Sequence, residues 1–168
     1  MAYTVHSQAG AQPIATTSTV QKHALGSIVR GVDDTLGAGE FIYLLGVVNT
    51  LVGSLVVFDA TTWQTVLTVG STHKNSGCPV AVAMSANVAA SYGWYQIQGN
   101  ATILKTAVAV SPQVPVMLSS ATAGRVKVLT SAGFMIVGAR TANLASVTST
   151  TSTVVVTINA PHVQGQIT

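Results

Sequence analysis

Phe41-Ile42-Tyr43-Leu44-Leu45, Leu55-Val56-Val57-Phe58 and Thr65-Val66-Leu67-Thr68 follow one another closely, and each run is short and β-branched or aromatic. Turn formers punctuate them: Gly37-Ala38-Gly39 before the first, Gly53-Ser54 before the second, Asp59-Ala60-Thr61-Thr62 after it, and Gly70-Ser71 after the third. Branched and aromatic side chains fit a pleated, half-buried surface, whereas Gly and Asp bend the chain. The reading is strand, turn, strand, turn, strand.

The same text continues outward. Pro79–Met84, Trp94–Ile97, Ala101–Leu104, Val114–Leu118, Arg125–Leu129, Phe134–Gly138 and Val154–Ile158 are further candidate strands. Arg125-Val126-Lys127-Val128-Leu129 alternates polar and apolar, which gives one wet and one buried face. Val56–Thr62 followed by Thr65–Thr68 resembles Val116–Thr122 followed by Lys127–Thr130, and Tyr43–Gly46 resembles Tyr95–Gly99. These matches describe two similar hairpin units folded against each other. The expected fold is all-β, a compact barrel- or sandwich-like core of short antiparallel strands over residues 31–168. Only Ser85–Ser91, small and Ala-rich, invites a short helical turn.

Residues 1–30 read differently. Ser7–Pro13 and Thr16–Thr19 carry neither a helical stripe nor a strand alternation. One reading is a frayed terminus. The other is an extended N-terminal arm that orders against a neighbouring subunit, with Tyr3, Val5, Ile14 and Val20 as its apolar handles.

Charge is scarce. Seven Lys and Arg with four Asp and Glu make up 7% of the 168 residues, against roughly a quarter in an ordinary soluble domain. No apolar run is long enough to span a bilayer as a helix. Lys22, Arg30, Lys74, Lys105, Arg125, Lys127 and Arg140 are scattered, so the net charge of +3 makes no basic groove for nucleic acid. A surface built from Thr, Ser, Gln, Asn and Gly has little self-repulsion and costs little to desolvate under a partner. That suits a chain packed against other protein.

The same poverty restricts chemistry. The acids are Asp33, Asp34, Glu40 and Asp59. Asp33-Asp34 and Asp59 sit in turn-like stretches, where Asp bends backbone, so a facing carboxylate pair is not expected. His6, His23, His73 and His162 show no metal-ligand spacing, and the expectation is that they are loop residues. Cys78, alone and before Pro79, forms no internal disulfide and reads as a small hydrophobe. No nucleophile elbow and no phosphate loop appears. No catalytic, cofactor-binding or metal-binding residue is assigned. The start of the chain lacks the charged-then-apolar pattern of a secretory signal, which points to synthesis in a reducing cytoplasm.

Tyr92-Gly93-Trp94-Tyr95-Gln96-Ile97-Gln98-Gly99 is the most distinctive run. Exposed, Trp94 and Tyr95 would stack on sugar rings. Buried, they would fill the core or a subunit contact, the reading favoured here, with Trp94 substantially covered.

Together with Glu40–Val47 and Gly77–Ala86, that run resembles small virion proteins of tailed bacteriophages, the capsid decoration or cement proteins, over roughly residues 30–140. The resemblance implies a β-rich, non-enzymatic protein on the outer surface of the head. Its partner would be the major capsid protein, with further copies of itself (a homo-oligomer, a trimer favoured) as a second candidate partner, and the sequence does not decide between a monomer and a trimer in the free protein. It implies no cofactor, nucleic acid or membrane. Gly93 and Gly99, which bracket the aromatics, would be fold determinants. Another virion part (a head-fibre base, tail-tube or baseplate protein) and a glycan-binding module are the alternatives.

Two expectations are directly measurable. The purified protein should carry no stoichiometric transition metal by elemental analysis, and a bound metal would overturn the reading of scattered histidines. On the arm reading, deleting residues 2–20 should leave the core folded.

Overall fold

The computed structural model describes residues 4–5, 11–128 and 132–166. It is nearly all β. After β1 (Thr4–Val5) and β2 (Thr17–Ser18) come a hairpin of β3 (Ile28–Asp33) and β4 (Gly37–Leu45), then β5 (Leu55–Phe58) and β6 (Thr65–Leu67). One helical turn, α1 (Gly70–His73), leads to β7 (Val80–Ala83) and the long β8 (Tyr92–Leu104). β9 (Pro115–Leu118), β10 (Val126–Lys127), β11 (Met135–Thr141) and β12 (Thr153–Val163) complete the order. The strands form one curled antiparallel sheet, β1-β3-β4-β8-β12-β11-β9-β10, with β5, β6 and β7 branching from β8.

β8 is the spine. β4 runs along one of its edges from Tyr92 to Gly99. The opposite edge is shared in succession by β2 at Tyr92–Gly93, β7 at Tyr95–Gln96 and β12 from Gln98 to Leu104. The two strands expected at 94–97 and 101–104 are therefore one. Gly99, at φ +98°, bends the strand beside a register shift against β4 without ending it. A bulge disturbs the ladder, and the buried Gln96 carboxamide compensates by donating to the Gln98 and Asn100 carbonyls at 3.0 Å each.

The two hairpin units are both formed. β5 pairs with β6 and β9 with β10. Each first strand is also joined by a later strand, β7 or β11, which in turn pairs with the next long strand, β8 or β12. The units meet directly: Leu55 N–H donates to the Gly124 carbonyl at 2.9 Å and Gly124 N–H to the Thr68 carbonyl at 2.7 Å.

The apolar run that begins at Phe41 is continuous because β4 is covered on both faces. Phe41 and Tyr43 point to one side, with Trp94, Val29, Met84 and Ile14. Ile42 and Leu44 point to the other, with Tyr95, Val56, Ala81 and Ala83. A larger cluster fills the curl between β5, β7, β9, β11 and the remainder of β8 and β12.

Three local expectations change. The boundary expected between residues 30 and 31 falls inside β3, whose alternating burial from Ile28 to Asp33 marks a strand with one wet face. Residues 11–25 do not stand away from the core but lie over the Phe41–Tyr43–Trp94 face, so Ile14 is 2% exposed and serves its own chain rather than a neighbour. The helical turn forms at Gly70–His73 and not at Ser85–Ser91. His73 Nδ1 accepts the Val69 N–H at 3.1 Å and closes that turn, while Asn87 is drawn inward to donate to Tyr95 Oη at 2.8 Å.

Trp94 is fully buried, so Trp94→Ala should destabilise the protein by about 3–5 kcal/mol, the range for large aromatic truncations. Ile14→Ala should cost about 2–4 kcal/mol on the same grounds, and deleting residues 2–20 should lower the melting temperature instead of leaving it unchanged. Thermal melts test all three. An unmoved melting point after the deletion would show that residues 11–20 add nothing to the core.

Candidate functional site

The residues singled out from the sequence lie in different environments. Trp94 and Tyr95, adjacent on β8, project to opposite faces and are both fully buried. Tyr3 lies outside the described residues, and Val5 sits in the edge strand β1 beside Gly31. Ile14 is buried, whereas Val20 is 63% exposed and free to meet a partner. Of the handles whose side chains are described, Ile14 faces the core and Val20 faces outward, so these two do not share one surface.

Around Trp94 the N-terminal segment builds an aromatic cluster. The Tyr43 and Trp94 ring centroids are 4.9 Å apart. His23 stands edge-on to Tyr43 at 5.1 Å and tilted on Trp94 at 5.2 Å. Trp94 Nε1–H donates to the Gln12 carbonyl at 2.9 Å, and Gln12 N–H donates to His23 Nε2 at 3.2 Å. His23 thus lies on a loop, as expected, but is half-buried and packed against the cluster. Nothing in its sequence neighbourhood signals this, because its partners come from β4 and β8. A ring stacked on by ligand must be open, and this indole is closed by its own chain.

The titratable groups follow their surroundings. Burial pushes the Tyr95 hydroxyl above the ordinary tyrosine range, partly offset by hydrogen bonds with Thr65 and Asn87. Burial likewise raises Tyr43, against the lowering effect of the Lys22 N–H donated to its oxygen. Burial lowers Lys105, whose ammonium donates to the Thr106 and Val108 carbonyls at 3.3 and 2.8 Å. Asp59 is held low by the Thr62 and Thr61 N–H groups of its turn. Asp33 caps the β3–β4 turn in the same way, accepting from Thr35 and Leu36 N–H. Glu40 is bound to Arg30 at 2.7 Å. Among the described residues no three of His, Cys, Asp and Glu converge on a point that could hold a metal.

What the fold does assemble is an apolar end. The β4–β5 loop (46–54) and the β7–β8 loop (84–91) are joined where Gly46 N–H donates to the Ser91 carbonyl at 2.7 Å, and Gly53 N–H ties the first loop to the Ala83 carbonyl at the end of β7 at 2.8 Å. Gly46 is required by this approach, since a Cβ there would stand 2.8 Å from Asn87 Cβ. Leu51 N–H on Ser54 Oγ and Thr50 Oγ1–H on the Val47 carbonyl fix the first loop. With the loops pinned from below, Val48, Leu51, Val52 and Val88 are left 48–56% exposed. Neither loop contains a charged residue. Isolated exposed aliphatics are ordinary, whereas four of them on two adjoining loops make a candidate contact surface. The sequence showed Val48, Leu51 and Val52 only between strands and Val88 only within the expected helical turn, with nothing to bring them together.

Comparisons with protein-family models, with curated proteins and with solved structures find no match for this chain.

Both raised tyrosines favour their neutral forms in the folded state, so the stability they contribute is present below the unfolded tyrosine pKa and is lost as pH rises through the folded values. A spectrophotometric titration of the native protein should therefore show Tyr43 and Tyr95 ionising later than a free tyrosine, with unfolding accompanying the late phase. If all the tyrosines ionise together in the ordinary range while the fold persists, the two rings are not closed off.

Proposed function

We propose that this protein is a non-enzymatic virion component that binds the outside of a bacteriophage head and stabilises the lattice of the major capsid protein. The observation that carries the reading is the uncharged apolar end formed by Val48, Leu51, Val52 and Val88 on a charge-poor domain. Such a surface loses little hydration on docking and gains from each apolar group covered. The resemblance of Glu40–Val47, Gly77–Ala86 and Tyr92–Gly99 to capsid decoration proteins supplies the lattice as the partner. The mechanism is linkage: a ligand that binds assembled shells and not free subunits stabilises the shell by mass action, repeated over many equivalent sites. Exposed Val20 would add contact to the shell or between copies in a homo-oligomer, for which a trimer is favoured.

A glycan-binding module working through Trp94 and Tyr95 is disfavoured by the burial of both rings. A different virion location, at a head fibre, tail or baseplate, uses the same surface properties and is separated by the binding partner.

Sedimentation with undecorated heads tests the proposal. Wild-type protein should co-sediment with assembled heads, not with free capsid subunits, and raise the temperature at which heads disrupt. The Leu51→Glu/Val52→Glu double variant should bind about tenfold more weakly or worse, the consequence of placing charge in a dry contact, with its own melting point unchanged. Failure of wild type to bind heads would remove the assignment. Undiminished binding by the variant would remove this surface from it.

A further inference from the structure

A second surface, on the wet face of the sheet, has a built character of its own. β3, β4, β8 and β12 place Arg30, Glu40, Gln98 and Asn159 in register across four strands. The next row is Gly31, Gly39, Gly99 and Ile158, and beyond it stand Val32 and Ala38, with Asn100 beside Thr157. The two outer rows are rails and the glycine row is the floor of a trough of about 720 Å³. That volume lies within the range of small-molecule sites.

The rails determine what fits. Arg30 and Glu40 neutralise each other, with Arg30 Nε and one of its terminal nitrogens both on Glu40 Oε1, leaving Oε2 as an acceptor. With no net charge, the rail offers nothing extra to an anion or a cation. Gln98 and Asn159 are exposed neighbours whose side-chain carboxamides make no hydrogen bond to other described residues. Carboxamide, guanidinium and carboxylate are planar groups that present two hydrogen-bonding atoms side by side. Such pairs match the adjacent hydroxyls of a sugar ring. The opposite rail is mixed, with Val32 and Ala38 apolar and the Thr157 hydroxyl donating to Asn100 Oδ1 at 2.7 Å. The floor row turns its side-chain positions to the opposite face, as buried Ile158 shows, so between the rails a ring's C–H face meets bare backbone.

We propose that this trough binds a neutral oligosaccharide, with Gln98, Asn159 and Glu40 as the hydroxyl-reading groups and Val32, Ala38 and the glycine floor under the ring. The site is separate from the apolar end assigned to head binding and uses neither Trp94 nor Tyr95. It goes beyond the lattice-stabilising role and would give a head-bound protein a ligand on its outer side.

Calorimetric titration of the full-length protein with maltohexaose and with cellohexaose, backed by an array of neutral glycans, tests the assignment. Binding of at least one neutral oligosaccharide is expected. It should weaken about tenfold in Gln98→Ala/Asn159→Ala, as expected when two hydrogen-bonding side chains are lost. Melting point and head binding should be unchanged, which keeps this outcome distinct from failure of the head-binding proposal. Glu40→Gln should weaken binding less, since it retains one acceptor. Absence of binding across the neutral array, or binding indifferent to the double variant, would overturn the proposal. Selective binding of a sulfated oligosaccharide or of an extended peptide at these residues would overturn it equally.

Discussion

The hydrogen bond from Trp94 Nε1 to the Gln12 carbonyl marks the constraint on which the rest of the structure depends: the β4–β8 pair is apolar on both faces and needs a cover on each. The β6-β5-β7 strands cover one. On the other, Phe41, Tyr43 and Trp94 would face water if residues 11–25 were elsewhere. That segment has too few apolar residues to fold alone, yet Ile14, Leu25 and the His23 ring suffice to close a face already half built. Its irregular backbone is tolerable there because Gln12, Lys22 and His23 find partners in the cluster and in one another.

From that covered pair the architecture extends along β8. One strand can serve β4 on one edge and three partners on the other only if it bends where the partners change. Gly99 supplies the bend and Gln96 compensates the carbonyls beside it. A non-glycine residue at position 99 would bring a Cβ against the Ala38 carbonyl, so the glycine is a packing requirement as well as a conformational one.

The distribution of polarity follows from the same plan. Where the sheet is covered twice, the strands read as unbroken apolar runs. Where one face is open, polar groups line up in rows, and the Arg30–Glu40–Gln98–Asn159 row is such a line. At the end of the β4–β8 pair the loops are held by backbone hydrogen bonds and carry their aliphatics outward. A chain with so few charges has little electrostatic repulsion to keep such a surface from a partner.

The sequence by itself determined the all-β class, the positions of most strands and the two hairpin units, because β-branched runs and Gly/Asp turns act through local backbone preference. It also determined the turn roles of Asp33 and Asp59, which depend on N–H groups two and three residues away. It did not disclose that residues 94–104 form one strand, since a glycine in a strand pattern reads as an end until its partners on both edges are known. The course of residues 11–25 was equally hidden: Gln12 meets Trp94 across 82 positions, and no local pattern encodes that meeting. The apolar end and the trough were decided by the tertiary structure alone. Each is made by register and loop contact between segments far apart in the chain, and those relations exist only once the sheet has formed.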